Sequence, residues 1–159
     1  MKKGNVNATV PTSSTALLGR RMTDAYGLDW VNIYATVTAT AGTPFMIKTS
    51  QTAAQSPGIA ALTTNTAAAQ MFMVGIPEQS IPADETGWVQ VKGLCAVTAA
   101  SAAYTAGHGL GITDGIIVDN AGTFNHLNTE FGVVASSQGA AATTVLNCIL
   151  LGEVRLSAT

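Results

Sequence analysis

The stretch Trp88–Ala99, WVQVKGLCAVTA, decides the fold class, because two different rows of side chains alternate along its whole length. One row is made of small and β-branched apolar residues: Val89, Val91, Gly93, Cys95, Val97 and Ala99. The other row is mixed: Trp88, Gln90, Lys92, Leu94, Ala96 and Thr98. A period of two predicts a strand with one buried face. Gly93, in the middle, indicates a bulge or the close approach of another backbone.

A second alternating stretch, WVNIYATVTAT at Trp30–Thr40, predicts another strand with one buried face. Its apolar row is Val31, Ile33, Ala35, Val37 and Ala39. Shorter strands are predicted at 45–48, 71–77, 116–118, 131–135 and 144–156, with glycine- and proline-containing turns between them. Residues 49–70 are compatible with either a surface loop or a short helix from Ile59 to Gln70. The pattern predicts a single all-β domain, a small sandwich or barrel of jelly-roll-like type.

The predicted core lies between the strand that begins at Trp88 and the last strand. We expect six side chains to be buried together: Val91, Cys95, Val97, Leu146, Cys148 and Leu150. Free cysteines behave as small hydrophobic residues, so buried thiols are expected. A disulfide between neighbouring strands remains an alternative under oxidising conditions.

Residues 1–28 show no regular period and are predicted to form an extended N-terminal arm, with the β domain at 29–159. The arm nevertheless carries apolar and basic side chains that a disordered tail does not need. A docking arm uses them, because burial of each apolar side chain is worth about 1.5–3 kcal/mol. The predicted interface residues are therefore Val10, Leu17, Leu18, Arg20, Arg21 and Met22 of the arm, with Trp30, Tyr34 and Trp88 of the domain.

Composition narrows the function classes. The chain is 47% hydrophobic and only 10% charged, against about 25% charged in an ordinary soluble domain. Such a surface indicates either coverage by other chains or a threonine-rich domain of the secreted type. The net charge of −2, without a basic cluster, argues against nucleic-acid binding. No apolar run approaches a membrane span or a signal peptide, so we expect no membrane partner and synthesis in the cytoplasm.

The residues that carry chemistry do not form a recognisable catalytic or metal motif. His108, in a glycine-rich turn, would need Asp114 or Asp119 to orient it and a nucleophile, but no Gly-x-Ser-x-Gly elbow is present. His126 has no second ligand at metal-binding spacing. We therefore predict no catalytic residue, no metal site and no cofactor. Trp30 and Trp88 could form a platform for sugars, although such aromatic side chains more often fill an interface.

The segment from Val74 to Leu110, VGIPEQSIPADETGWVQVKGLCAVTAASAAYTAGHGL, resembles a region of phage head decoration (cement) proteins. These are small, weakly charged all-β proteins rich in Ala, Thr and Gly. The corresponding positions here are Gly87, Trp88, Val89, Val91, Gly93, Ala96 and Gly107, and the segment Gly132–Gly152 is similar in character.

The resemblance implies a structural role rather than an enzymatic one. It implies a protein that binds the major capsid protein on the outer surface of the virion and stabilises the capsid, as a homo-oligomer with a trimer favoured. A head–tail joining protein, a tail protein and a carbohydrate-binding β-sandwich module are the alternatives.

Overall fold

A computed structural model describes residues 10–11, 18–48, 58–61, 73–100, 102–113, 116–120, 130–139 and 143–155. These residues form strands and turns and contain no helix. The strands are β1 (Val10–Pro11), β2 (Arg21–Thr23), β3 (Asp29–Ala35), β4 (Phe45–Lys48), β5 (Gly58–Ala61), β6 (Met73–Pro77), β7 (Glu85–Ala100), β8 (Gly109–Thr113), β9 (Ile116–Asn120), β10 (Glu130–Val134) and β11 (Thr143–Arg155). The predicted all-β fold class is confirmed.

The strands join into one sheet in the order β2-β3-β5-β4-β6-β7-β11-β10-β8-β9. All pairings are antiparallel except that of β3 with β5. The first half of β7 also pairs with β3, which curls that part of the sheet back on itself in a barrel-like manner. The second half of β7 pairs with β11 from Lys92 to Ala100. This 16-residue strand therefore belongs to both halves of the molecule.

Two hydrophobic cores lie on the two faces of β4 and β6. Phe45 and Ile47 of β4 point into a core enclosed by β3, β5, β4, β6 and the first half of β7. Met46, between them, points into a second core with side chains from β7, β8, β9, β10 and β11. In β6, Met73 points into the first core and Val74 into the second. Strands buried on both faces do not alternate between apolar and polar residues, as MVGIP illustrates.

The predicted core residues are all buried, but they do not all lie in one core. Cys95, Val97, Leu146, Cys148 and Leu150 belong to the second core, whereas Val91 belongs to the first. The separation occurs at Gly93, whose φ of 94° lies in the left-handed region. The β3–β7 register also shifts next to it, between Asp29 and Trp30. The strand thus has a bulge at Val91, two residues before Gly93, and passes from one core to the other in this region.

The prediction for Trp30–Thr40 was wrong in length and in the number of buried faces. The strand ends at Ala35, and Val37 is exposed in a bend. Both faces of β3 are buried: Trp30 is 4% exposed and Asn32 is fully buried. The pairing of β3 with β7 stops at Tyr34. Thr36–Thr38 therefore have no strand beside them on that edge, and they leave the sheet.

Part of the predicted N-terminal arm is joined to the sheet. β1 pairs with the start of β7, and β2 forms a hairpin with β3. The Asp24 carboxylate holds the hairpin turn by accepting hydrogen bonds from the backbone N–H groups of Tyr26 and Leu28 and from Nε1 of Trp30. Such local Asp contacts are typical of tight turns. The β2–β3 hairpin thus crosses the predicted boundary between residues 28 and 29, and the division into an arm and a domain stays a prediction.

The pattern of residues 49–70 is compatible with a loop or a short helix, but the structure has a strand there. Gly58–Ala61 form β5 instead and pair with β3 and β4. The rest of that segment lies outside the described residues.

Candidate functional site

The predicted interface residues of the arm differ in burial where the structure describes them. Arg20 and Arg21 are exposed, while Leu18 and Met22 are partly buried. Val10 lies in β1, beside Thr86 of β7 in register. The side chain of Val10 and the whole of Leu17 lie outside the described part of the structure. The interface role of these residues stays a prediction.

The predicted aromatic platform is largely enclosed. Trp30 is buried and donates from Nε1 to Asp24 at 3.2 Å. Tyr34 is partly buried and donates from its hydroxyl to Asp84 at 2.6 Å. This hydrogen bond raises the pKa of Tyr34, because the bond to the carboxylate favours the protonated phenol. Trp88 is only partly exposed, and the part of these rings in an interface or a sugar platform stays a prediction.

A half-open cleft of ≈ 310 Å³ lies where β2, β7 and β11 meet. Its lining is Arg21, Met22, Thr23, Asp29, Val91, Lys92, Leu151 and Gly152. Two left-handed glycines shape it, Gly93 with φ 94° beside it and Gly152 with φ 81° in its wall. The cleft thus contains two of the predicted interface residues, Arg21 and Met22, together with Lys92 and Leu151, which no local sequence pattern places beside them.

Side-chain hydrogen bonds hold the bulge beside this cleft. The side-chain amide of Gln90 donates to the carbonyl oxygens of Lys92 and Leu94, at 3.1 and 2.9 Å, on either side of Gly93. Thr23 donates from its hydroxyl to Asp29 at 2.7 Å. The cleft therefore carries both signs of charge. The Arg21 and Lys92 cations line it together with the carboxylate of Asp29, which already accepts the hydrogen bond from Thr23.

His108 lies in the turn before β8 and contacts Asp119 of β9, with Nδ1 2.7 Å from Oδ1. The other oxygen of Asp119 accepts from the backbone N–H of Thr105, also at 2.7 Å. The carbonyl oxygen of His108 accepts from Val134 of β10. This arrangement orients the imidazole and fastens the turn to two strands. Asp114, the other predicted orienting residue, and His126 lie outside the described residues.

Cys95 and Cys148 are directly opposite each other on the adjacent strands β7 and β11. Both are free thiols and both are buried. Burial disfavours the thiolate and raises the pKa of each cysteine to about 12. The thiolate is the reactive form, so the fold protects both sulfurs from attack.

We expect a disulfide reagent such as DTNB to react with neither cysteine at pH 8 while the protein is folded. A rise of the pKa from 9.0 to about 12 lowers the thiolate population about 1,000-fold, and burial hinders access as well. The release of thionitrobenzoate, followed by absorbance, should be complete within minutes in denaturant and negligible in native buffer. Rapid labelling of the folded protein would contradict the burial of the pair.

Large apolar side chains emerge on the opposite face of β7 and β11. Leu94 is 60%, Val145 63% and Ile149 46% exposed. The pattern in the sequence placed Leu94 in the mixed row of its strand but gave no reason to expect an apolar cluster there. The cluster arises from the register, which pairs Leu94 directly with Ile149.

Within the described residues, no three histidine, cysteine or acidic side chains are grouped to hold a metal ion. No helix in the same part of the chain is long and apolar enough to cross a membrane.

Comparison with known proteins gives one clear structural likeness. No protein-family model matches the chain. No curated protein matches it significantly. Among solved structures, the N-terminal base of the head fiber gp8.5 of bacteriophage phi29 is similar, with a TM-score of 0.51 and 14% identity. The match covers 80% of this chain and 98% of the phi29 chain. At this identity the likeness concerns the fold.

Proposed function

We propose that the chain is a structural protein of a phage virion, made in the host cytoplasm and bound to the outside of the capsid, where it acts as a decoration (cement) protein. The observation that carries this proposal is the fold shared with a phage head fiber base along almost the full length of that base. The phi29 protein is a fiber of the phage head, which favours a head location over a tail location for this chain.

The composition of the surface supports the same function. With 10% charged residues, the chain has little of the hydrated charge that keeps an isolated domain apart from its neighbours. A virion component meets many identical neighbours, and symmetric contacts cover much of its surface. The partners that we propose are the major capsid protein and further copies of this chain, with a trimer favoured by the resemblance to decoration proteins.

The exposed arginines Arg20 and Arg21 are the side chains that we assign to capsid contact. Arg21 is the first residue of β2 and Arg20 precedes it, so both lie on the β2–β3 hairpin, whose turn Asp24 holds. A guanidinium binds carboxylates through two parallel hydrogen bonds, so an acidic position on the capsid surface is the matching partner. Because the hairpin backbone is already fixed, less conformational entropy is lost when the two arginine side chains become ordered on binding.

Co-sedimentation with assembled empty capsids of the encoding phage tests the proposal. We expect the full chain to bind saturably and to bind unassembled capsid protein much more weakly, since neighbouring capsid subunits form the site together. The double variant R20A/R21A should bind at least about tenfold more weakly, equivalent to 1.4 kcal/mol. Lys48→Ala, which removes a positive charge elsewhere, is the control.

Failure of the full chain to pellet with capsids above the level of an unrelated protein would overturn the proposed function. Equal binding by wild type and R20A/R21A would leave the capsid role intact and remove the arginines from it.

A further inference from the structure

The cleft where β2, β7 and β11 meet lies at the point where two strands part from a shared neighbour. Leu151 of β11 and Asp29 of β3 are both opposite Lys92 of β7. β11 continues to Arg155 with no further partner on β7, while β3 pairs with β7 from there to Thr86. The volume of ≈ 310 Å³ is at the lower end of the range for ligand sites, about 300–1,000 Å³. The cleft therefore suits a few side chains rather than a domain.

Two cations in this cleft have no acidic partner. Arg21 and Lys92 are both exposed, and neither forms an ion pair with a carboxylate of the described residues. Asp29 lines the same cleft, but its Oδ1 already accepts the hydrogen bond from Thr23. Two positive charges against one negative charge leave the cleft with a net positive charge. An anionic group is the electrostatically complementary occupant.

The Lys92 side chain is supported along its length. A Cβ atom built on Gly152 would lie 3.4 Å from Cδ and 3.5 Å from Cβ of Lys92, so the lysine stem lies along the glycine backbone. The carbonyl oxygen of Lys92 accepts a hydrogen bond from the side chain of Gln90. A lysine whose stem is packed and whose ammonium reaches water is common in proteins. Less entropy is lost when such a side chain binds a ligand.

The other lining groups favour a peptide over a phosphate. The second carboxylate oxygen of Asp29 can accept a hydrogen bond from a backbone N–H, whereas a phosphodiester has no donor to offer and is repelled by the carboxylate. Met22, Val91 and Leu151 supply apolar surface for the methylene groups of an acidic side chain. All of β2, Arg21–Thr23, lines the cleft, and its outer edge has no neighbour among the described strands. An extended chain can pair with such an edge.

We propose that the cleft binds an extended acidic segment of the capsid protein, with a Glu or Asp side chain of that segment between Arg21 and Lys92. The inference rests on the proposed function for the identity of the partner, and it adds Lys92, from the middle of β7, to the arginine contact. A carboxylate accepts charge-assisted hydrogen bonds from a guanidinium and an ammonium at the same time. Arg20 does not line the cleft and has no part in reading this carboxylate.

Two short probe peptides test the cleft without any capsid. Acetyl-Ala-Val-Glu-Val-Ala-amide and its Gln counterpart differ only in charge, and each is titrated into the isotope-labelled full chain by NMR. The Glu peptide should shift the backbone amide signals of Arg21, Lys92 and Gly152, and the Gln peptide should bind at least about tenfold more weakly. Lys92→Gln should weaken binding of the Glu peptide by a similar factor. Arg20→Gln, a matched change beside the cleft, should not.

A charge exchange gives a second readout. Lys92→Glu should lose the Glu peptide and bind the peptide with Lys at its central position at least about tenfold more tightly than the wild type does. Lys92 is exposed, so both substitutions should keep the fold, which circular dichroism checks. Equal binding of the Glu and Gln peptides, no shift of the three amide signals, or displacement of the Glu peptide by inorganic phosphate at matched ionic strength would overturn the proposal.

Capsid co-sedimentation separates this proposal from the proposed function. Capsid binding that Lys92→Gln weakens at least about tenfold supports both. Capsid binding that Lys92→Gln leaves unchanged overturns the role of the cleft and keeps the capsid role. A chain that binds the Glu peptide but no capsid overturns the capsid as the partner. A solution mass above 16.2 kDa that falls to that value in Lys92→Gln would assign the cleft to a second copy of this chain and overturn the proposal.

Discussion

Replacing Leu150 with alanine is expected to lower the free energy of unfolding by about 2–5 kcal/mol, the range for removing a buried leucine side chain. Leu150 is 2% exposed and lies in the second core. It sits on β11 between Gly93 of β7 and Gly132 of β10, its direct partners on the two flanking strands. Neither glycine has a side chain that could move into the space, so we expect the cavity to persist. Urea unfolding followed by tryptophan fluorescence measures the loss.

Leu94→Ala provides the matched control for this prediction. Leu94 lies one position from Gly93 on the neighbouring strand but is 60% exposed. The same chemical change should therefore cost less than about 0.5 kcal/mol, as is usual at the surface. Both variants are compared in dilute solution, where copies of the chain are apart. Equal effects of the two substitutions would show that Leu150 does not lie in a packed core.

The substitution Gly93→Ala is expected to cost about 1–3 kcal/mol, mainly from backbone strain, with a smaller contribution from displacing the end of the Leu28 side chain. The φ of 94° is one that side-chain-bearing residues rarely adopt. A Cβ atom built at this position would lie 2.6 Å from the Cδ2 atom of Leu28. The hydrogen bonds from Gln90 on both sides of the bulge prevent the backbone from relaxing.

Gly107→Ala separates the two causes. Gly107 also has a left-handed φ, 85°, but a Cβ atom there would meet nothing within 4 Å. It should therefore show only the strain, about 1–2 kcal/mol. In a background where Leu28 is alanine, Gly93→Ala should fall toward the cost of Gly107→Ala. An unchanged cost in that background, measured by the same urea titration, would rule out the clash with Leu28.

The sequence predicted β7 well because one face of it is buried and the other is exposed beyond Gly93. There the rows of Cys95, Val97 and Ala99 on one side and Leu94, Ala96 and Thr98 on the other correspond to the two faces of a sheet. The last strand was predicted for the same reason. In both strands the period of two in the sequence corresponds to one buried and one solvent-exposed face.

The same reasoning failed for β3 because both of its faces are covered. Trp30 and Asn32 belong to a row that was expected to be exposed, yet the β2–β3 hairpin and other chain segments enclose it. β2 itself has only three residues and pairs at the margin of the sheet. A strand of that length has no period to read, so its pairing could not be predicted from local pattern.

The candidate surfaces were only partly accessible to sequence reasoning. Arg21 and Met22 were chosen for their chemistry, and they do line the cleft. Lys92, Leu151 and Gly152 reach the same cleft through the register of β7 with β11, a contact between distant segments. Leu94 and Ile149 meet on the exposed face of β7 and β11 for the same reason. Register between strands far apart in sequence is a property of the whole fold.

The position of β7 in the sheet also sets the order in which the chain can fold as it is made. β1 and β3 both need β7 as a partner, and β7 itself needs β11 on its other edge. A ribosome that has released the chain only as far as β6 has therefore produced β1 and β3 without their shared partner β7. Such long-range pairing slows folding and leaves strand edges open in the meantime. Acquisition of structure should thus come late in synthesis, after Thr143–Arg155 has emerged, with chaperones protecting the earlier strands until then.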